Sequence, residues 1–471
     1  MSKPAECNLL PRTAESYPFS AADRLVEPID LSEFGYVEKE YEISGVSHVY
    51  ELPEGQQFPE IQTDKAPYCS KMLVRLPESP ADFSGVVVVE LLNWASKYDR
   101  TIPGWGQCYD YYLEKGIAWV GLTVRDVALE AAKRFDPVRY ANLAFKNPKP
   151  EELRGEPQTC YGRCNMENEN GLSWDMISQV GVLLKSGDAD SPFNGYGVRY
   201  IYATGATAGD LSAYIAEFHP VHRSPENEPI FDGFLMYMTG APGGVNQETD
   251  KNEVTDPRDK YYSEVPFIHV LTTGDMLGGG FHPDWAYMQR RPDANEPGKK
   301  LHRYELAGCG VRSAYDKHRC VCQEDVEKSK TPWKESVNYE YEYPVRYILK
   351  AATEHLICWM RDGVEPPHSP LLETEGEYPE VEYKRDAAGN QLGGIRLPYV
   401  DAPLYTFQEE GGAHRLPAET IRGLYKSKED YLAKAIGSCL KAYSQGWILL
   451  SDAKEIILEV ASQEIPELEG E

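Results

Sequence analysis

The chain has 471 residues, of which 41% are apolar, and its formal net charge is −27. The length and apolar content are sufficient for one large α/β unit with insertions, or for about two to three average domains. The negative charge argues against binding to nucleic acid or to an anionic membrane, because phosphate contacts need a basic protein face.

The first residues and the cysteines bear on where in the cell the protein is located. Residues 1–13 contain no apolar h-region, and no apolar run approaches the ~18 residues of a membrane span, so we expect no secretory signal and no membrane helix. Ten cysteines without a signal favour reduced thiols in a cytoplasmic protein. The pairs Cys160/Cys164 and Cys320/Cys322 match no standard zinc spacing, so we expect no metal and no cofactor.

Strands and helices alternate through the middle of the chain. The predicted elements, in order, are strands at Lys71–Leu76 and Val86–Leu91, a helix at Gly106–Lys115, a strand at Ile117–Thr123, a helix at Trp174–Leu184, a strand at Val198–Ala203, a helix at Leu211–Phe218, strands at Phe231–Tyr237 and Pro266–Thr272, and a helix at Val345–Arg361. Short β-branched runs separated by helices predict an α/β fold with a mostly parallel sheet and helices on both faces.

Other segments complete a single predicted domain spanning 1–471. Residues 146–170 and 243–260 have the composition of irregular insertions. Residues 419–462 predict a helical C-terminal region that is broken near Gly446 and Ser451.

Ligands of such a sheet bind outside the carboxyl ends of its strands. We therefore expect the loops after Leu92, Ala203 and Thr272 to converge on one pocket, with a small molecule as the partner. The oligomeric state is left open by the sequence.

A glycine-framed turn follows the strand that ends near Ala203. The segment 205–209 reads Gly-Ala-Thr-Ala-Gly and leads into the helix that starts near Leu211. Gly-x-Ser-x-Gly in this setting is a nucleophile elbow, which lifts a serine over the end of an α/β-hydrolase sheet. Here Thr207 stands where the serine would be.

Several segments, in their shared order, carry a family resemblance. They are 34–41 (FGYVEKEY), 89–93 (VELLN), 136–140 (DPVRY), 173–179 (SWDMISQ), 291–293 (RPD), 394–400 (GIRLPYV) and 445–452 (QGWILLSD). With them the chain resembles the large alpha/beta hydrolase domain proteins of bacteria and fungi. The resemblance implies an α/β-hydrolase fold and esterase or lactonase chemistry on small acyl substrates.

The family's nucleophile segment resembles Gly-Glu-Ser-Gln-Ser-Ala, followed by a helix that ends in His-Pro. Matching the strand side places the serine on Thr207, whereas matching the helix side through Leu211 and His219 places it on Gly205. We favour Thr207, because that alignment keeps the glycines of the elbow.

The resemblance also locates the base and the acid. The family histidine lies in a segment like Glu-Val-Ala-Gly-Thr-Ala-His, which matches 305–311 and leaves Val311 at the position of the histidine. The family's Glu-Thr-Asp matches 273–275, where only Asp275 offers a carboxylate. A hydroxyl nucleophile needs an adjacent base, and the base needs an orienting group, so the triad is degenerate.

A replacement base would have to reach Thr207. His282 follows Asp275 in a glycine-rich loop, His318 follows Val311, and His302 precedes the strand that carries Glu305. An ordinary surface or loop histidine is the alternative interpretation of each. His219 and His222 lie at the far end of the helix after the elbow, and we interpret them as partners of the helix C-terminus.

The oxyanion hole is the least affected part of the site, because it needs only backbone N–H groups. The candidates are the amides of Ala208 and of Asn93 or Trp94, with Gly205 in the same substrate-binding group. Further loop residues that should border the pocket, or else form ordinary loop ion pairs, are Asp99, Arg100, Arg125, Asp126 and Tyr161.

Three functions follow from these residues. The first is an enzyme that polarises a carbonyl in cyclase, lyase or isomerase-like chemistry. The second is an unusual esterase or lactonase that uses Thr207 with a relocated histidine. The third is a catalytically silent binding or scaffold protein. The retained elbow and the glycine-rich loop at 278–280 favour an enzyme over the third function.

Overall fold

The structure is a computed structural model of the whole chain. It describes residues 1–53, 56, 58–150, 167–206, 210–238, 244–246, 262–277, 290–311, 321–332, 341–377, 380–409 and 411–468. Most of the two predicted insertions lies outside these residues. At the base of the first insertion, Lys146 and Asn168 form an antiparallel bridge.

The chain divides into two compact units. The N-terminal unit comprises Met1–Phe267, Glu296–Lys300 and Asp316–Glu335, and the C-terminal unit comprises Ile268–Asn295, Leu301–Tyr315 and Ser336–Glu471. This division does not test whether 1–471 form a single domain, which stays a prediction.

The strands of the described residues are numbered here in chain order. They are β1 Glu6–Leu10, β2 Tyr36–Glu51, β3 Glu60–Pro77, β4 Val86–Leu91, β5 Ala118–Leu122, β6 Tyr200–Ala206, β7 Gly233–Tyr237, β8 Phe267–Leu271, β9 Ala294–Glu296, β10 Lys299–Glu305, β11 Thr374–Glu375, β12 Glu382–Tyr383, β13 Tyr405–Phe407 and β14 Ala413–Arg415.

The helices are numbered in the same way. They are α1 Trp105–Lys115, α2 Asp126–Phe135, α3 Ser173–Ser186, α4 Asp210–Ala213, α5 Thr273–Met276, α6 Gln323–Lys328, α7 Arg346–Asp362, α8 Pro398–Asp401, α9 Ala418–Leu424, α10 Lys428–Ser444 and α11 Leu450–Ser462. A π-helix, Tyr214–Phe218, continues directly from α4. No helix of the described residues is long and apolar enough to cross a membrane.

The sheet of the N-terminal unit has the order β1-β2-β3-β5-β4-β6-β7. Strand β4 pairs in parallel with both β5 and β6, and β6 pairs in parallel with β7. All six residues of β4 are buried, as its apolar sequence predicts for a central strand. Strands β1, β2 and β3 extend the sheet in antiparallel fashion.

In the C-terminal unit, β8 and β10 are parallel, with His302 opposite Ile268 and Glu305 opposite Leu271. The predicted helical C-terminal region is present as α9, α10 and α11. The break falls at residues 445–449, where Gly446 has a φ of +85°. Ser451, the other residue predicted to lie near the break, is two residues beyond it, in the first turn of α11.

Candidate active site

A strand and a helix flank the glycine-framed segment, as its spacing predicts. Strand β6 ends at Ala206 and α4 begins at Asp210. Thr207 and Ala208 lie outside the described residues, and their roles stay predictions. Gly205 still belongs to β6, opposite Met236, which favours Thr207 over Gly205 as the residue at the elbow.

The end of β6 adjoins a switch point of the sheet. Strand β4 lies between β5 and β6, and the chain runs from β4 to β5 on one side before it returns to β6 on the other. Ligands of α/β sheets bind at such points, outside the carboxyl ends of the strands. The loop after β4 and the start of α4 therefore flank the expected binding crevice.

Asn93 joins these two segments. Its side-chain Nδ2 donates to the carbonyl of Ala206 at 3.0 Å. Its backbone N–H, which we expected to be available to an oxyanion, donates to the carbonyl of Arg100 at 2.9 Å. The remaining oxyanion-hole candidate of this loop is the backbone N–H of Trp94, and its role stays a prediction.

The carboxylate of Asp210, the first residue of α4, also connects the start of this helix to the neighbouring loops. Its Oδ2 accepts a hydrogen bond from Trp94 Nε1 at 2.7 Å, and its Oδ1 accepts one from Arg125 Nε at 2.7 Å. The guanidinium of Arg125 also lies over the rings of Trp94 and Trp174, at 5.7 Å and 5.5 Å. These contacts join the loops after β4 and β5 to the start of α4. That the loops after Leu92, Ala203 and Thr272 converge on one pocket stays a prediction.

Glu90 positions the other end of the β4 loop. Its buried carboxylate accepts hydrogen bonds from the backbone N–H groups of Ile102 and Trp105, at 2.8 Å and 2.9 Å. Two further donors are the Gly104 N–H at 3.2 Å and Trp119 Nε1 at 2.8 Å. Burial nevertheless raises the pKa of Glu90. Sequence reasoning missed this residue, although one acidic residue in the run Val-Val-Val-Val-Glu-Leu is a visible signal.

The other residues expected to border the pocket form buried polar contacts. Asp99 lies 3.3 Å from Lys71 Nζ and accepts a hydrogen bond from the hydroxyl of Thr123. Asp126 accepts hydrogen bonds from the side-chain amides of Asn168 and Asn170, at 3.1 Å and 3.0 Å. These contacts fit the interpretation as loop ion pairs and hydrogen bonds. Tyr161 lies outside the described residues.

The acid and base positions are neighbours within the C-terminal unit. The carboxylate of Asp275 accepts hydrogen bonds from Thr272 N and Oγ1, at 2.9 Å and 2.7 Å, and so caps α5. A Cβ atom added to Gly274 would lie 2.8 Å from Val311 Cγ2. The residue beside the acid segment is thus a buried valine. His282 and His318 lie outside the described residues.

Three other histidines are buried. His302 lies within β10, so the prediction that it precedes this strand was wrong. His219 follows the π-helix, as expected, and its side chain and that of His222 are buried. Burial lowers the pKa of His219 to about 3 and that of His222 to about 4.

His222 belongs to a cluster with the residue types of a triad. Its Nδ1 lies 2.7 Å from Ser178 Oγ, and its Nε2 lies 3.3 Å from Asp175 Oδ1. Ser178 is fully buried, and its Oγ is also 2.6 Å from the hydroxyl of Tyr214. A hydroxyl enclosed in this way cannot meet a substrate, so this cluster belongs to the core.

The described cysteines are free thiols: Cys7, Cys69, Cys108, Cys309, Cys322, Cys358 and Cys439. Of the two pairs considered as zinc ligands, only Cys322 falls within the described residues.

A mostly parallel sheet in which a strand is followed by a helix at the switch point is typical of the α/β-hydrolase class. The chain belongs to the family described as "Alpha/beta hydrolase domain", which matches residues 1–458. The predicted family and fold class are thereby confirmed. No curated protein matches the chain.

The solved structures to which the chain shows weak similarity include three esterases. Esterase 2 of Thermogutta terrifontis, phosphorylated by paraoxon, has 11% identity and a TM-score of 0.29 over 56% of this chain and 82% of its own. A PEG-bound cold-adapted esterase from an Arctic intertidal metagenomic library has 11% identity and a TM-score of 0.27 over 57% and 85%. The glucuronoyl esterase from Solibacter usitatus has 10% identity and a TM-score of 0.28 over 64% and 82%. Similarity at this level says nothing about what this chain does.

Proposed function

We propose that this protein is an enzyme that acts on a small carbonyl, ester or lactone substrate by polarising its carbonyl group, without a serine-type triad. The buried Val311 beside Gly274, at the family's base position, carries the proposal. Valine cannot accept a proton from a nucleophile. The cytoplasmic location and the small-molecule partner expected from the composition belong to the same proposal.

The surroundings of the elbow support an enzyme rather than a silent scaffold. The Asn93 side chain fixes the last residue of β6, and Asp210 fixes the first residue of α4 against two loops. Backbone N–H groups held in fixed positions at the turn would polarise a carbonyl oxygen. In this scheme Thr207 donates one hydrogen bond to the substrate.

Substitution of Thr207 separates this scheme from hydrolysis with a relocated histidine. Under carbonyl polarisation, Thr207→Ala should lower turnover on a panel of esters and lactones by less than about a hundredfold, which corresponds to ~2.7 kcal/mol. Loss of a triad nucleophile costs on the order of a million-fold, as in the subtilisin series. Thr204→Ser, in the preceding strand, is the control for disturbance of β6.

Labelling with a fluorophosphonate provides a second measurement. The wild type should resist the probe, because no base activates Thr207. Rapid stoichiometric labelling at Thr207 would instead favour the hypothesis of an esterase or lactonase, with His282 or His318 as the base. Absence of turnover by the wild type on every substrate would favour the silent scaffold.

A further inference from the structure

Three side chains of the C-terminal unit converge near the start of β10. Asp293 Oδ2 lies 2.8 Å from His368 Nδ1 and 3.5 Å from His302 Nδ1. The two imidazole rings are stacked, with their centroids 5.0 Å apart. One ligand atom from each residue lies within 4.8 Å of the other two. Two imidazoles and a carboxylate are donors that suit zinc and related divalent ions.

The hydrogen bonds of His302 give an independent reason to expect a cation. Its Nε2 lies 3.1 Å from Glu365 Oε1, and because a carboxylate only accepts, Nε2 carries the hydrogen. In the neutral tautomer that donates from Nε2, Nδ1 holds a lone pair. This buried Nδ1 has no hydrogen-bond partner, and it faces the carboxylate of Asp293. Two acceptors that face each other repel unless a cation lies between them.

We propose that Asp293 Oδ2, His302 Nδ1 and His368 Nδ1 bind a Zn²⁺ ion. Zinc bonds of about 2.0–2.1 Å in a tetrahedron place ligand atoms about 3.3 Å apart. The 3.5 Å between Asp293 and His302 already fits this spacing. The 2.8 Å between Asp293 and His368 is a hydrogen bond, so His368 must give up the Nδ1 proton and withdraw by about half an ångström. Its side chain is 69% exposed, which leaves room for that shift.

The outer contacts are those of a metal site. Glu365 accepts from His302 Nε2, the arrangement that orients metal-bound histidines. Glu365 in turn accepts from Asn295 Nδ2 at 3.0 Å, and Asn295 accepts from Trp359 Nε1 at 3.1 Å. The second oxygen of Asp293 accepts from the backbone N–H of Arg303 at 2.9 Å.

The ion site lies apart from the predicted acid position. His302 pairs with Ile268 at the start of β8, whereas Asp275 follows the end of β8. Because β8 and β10 are parallel, the metal site and Asp275 lie at opposite ends of this strand pair. The ion would join β10 to the segment before it and to residues 363–369 after α7. The fourth position, on the side of the exposed His368, would hold water.

Zinc titration of metal-free, tag-free protein tests the site directly. Calorimetry should give one Zn²⁺ per chain, and zinc should raise the melting temperature. His368→Ala should weaken binding by at least about tenfold, and Glu365→Gln by about 10- to 100-fold, the range found for outer-shell partners. His414→Ala, at an exposed histidine of β14, is the matched control and should bind as the wild type.

Cobalt substitution distinguishes the proposed site from binding by the cysteines. Thiolate ligands give an intense charge-transfer absorption, which a site of two imidazoles and a carboxylate cannot produce. The proposal is overturned if no stoichiometric zinc binds, if folded His368→Ala binds as tightly as the wild type, or if the cobalt spectrum shows thiolate ligands. Circular dichroism establishes that each variant is folded.

Discussion

At the scale of single residues, Asp210 shows how one carboxylate holds the candidate site together. It accepts from Trp94 on the loop after β4 and from Arg125 on the loop after β5, at the first position of the helix that follows the elbow. The side chains of Asp210 and Arg125 are only 7% and 13% exposed. Removing one member of a buried ion pair leaves the other charge uncompensated.

Asp210→Ala should therefore lower the free energy of unfolding by about 3 kcal/mol. Urea denaturation measures the change. The control is Asp188→Ala, which removes an exposed partner of Lys3 and should cost less than about 1 kcal/mol. Equal losses in the two variants would show that Asp210 does not fix the loops.

His219 and His222 predict a loss of stability in acid. Their folded pKa values of about 3 and about 4 lie below the ordinary value of 6.5. Below pH 6.5 the unfolded chain therefore binds protons that the folded chain does not. The free energy of unfolding should fall as the pH drops from 6.5 to about 4, by up to ~1.4 kcal/mol per pH unit for each histidine.

Urea denaturation at a series of pH values from 8 to 4 measures this slope. His222→Gln removes one of the two titrating groups, so its slope between pH 6.5 and 4 should be shallower than that of the wild type. A parallel decline in the two proteins would mean that His222 is protonated in the folded state.

At the scale of elements, the loop between β4 and α1 depends on a close approach of backbone to carboxylate. A Cβ atom on Gly104 would lie 2.3 Å from Glu90 Oε2. The Glu90 carboxylate is held by four donors, one of them the first N–H of α1, so it has little freedom to withdraw. The conformation of this loop therefore requires a glycine.

Gly104→Ala should destabilise the protein, whereas Gly437→Ala should stabilise it by roughly 0.5–1 kcal/mol. Gly437 lies inside α10, and a Cβ atom added there meets nothing within 4 Å. Thermal or urea unfolding of the two variants gives the comparison. A Gly104→Ala protein as stable as the wild type would show that the Glu90 side chain can leave its donors.

Elements defined by a local pattern were predicted well, and those defined by distant partners were not. The apolar run of β4 was predicted to the residue. The alternating residues of β2 were not recognised as a 16-residue strand, because its stability comes from pairing with β1 and β3. The helix predicted at 211–218 divides into α4 and a π-helix.

The same distinction applies to the candidate site. The glycine spacing predicted where β6 ends and the next helix begins. The contact of Arg125 with Asp210 joins residues 85 positions apart, and no local pattern reveals it. The Asp293, His302 and His368 cluster was missed for the same reason. His302 lies in a strand and His368 follows a helix 66 residues later.

At the scale of the whole molecule, the net charge of −27 implies self-repulsion in the folded state. Raising the salt concentration from ~20 to ~200 mM NaCl shortens the Debye length severalfold and should raise the melting temperature. Scanning calorimetry measures the shift. The same experiment near the isoelectric point is the control, since the effect should disappear there. A lower melting temperature in salt would mean that local ion pairs outweigh the repulsion.

The short first strand protects an aggregation-prone edge. Strand β1 pairs with residues 40–44 of β2, and the guanidinium of Arg139 donates to the carbonyls of Leu10 and Pro11 while also holding Glu40. Without residues 1–10, the N–H and C=O groups of β2 would be open to strands of other molecules. Shortened forms of this protein would therefore be prone to aggregate through β2 even with the loops of the candidate site intact. We expect the first ten residues to contribute to solubility as well as to the fold.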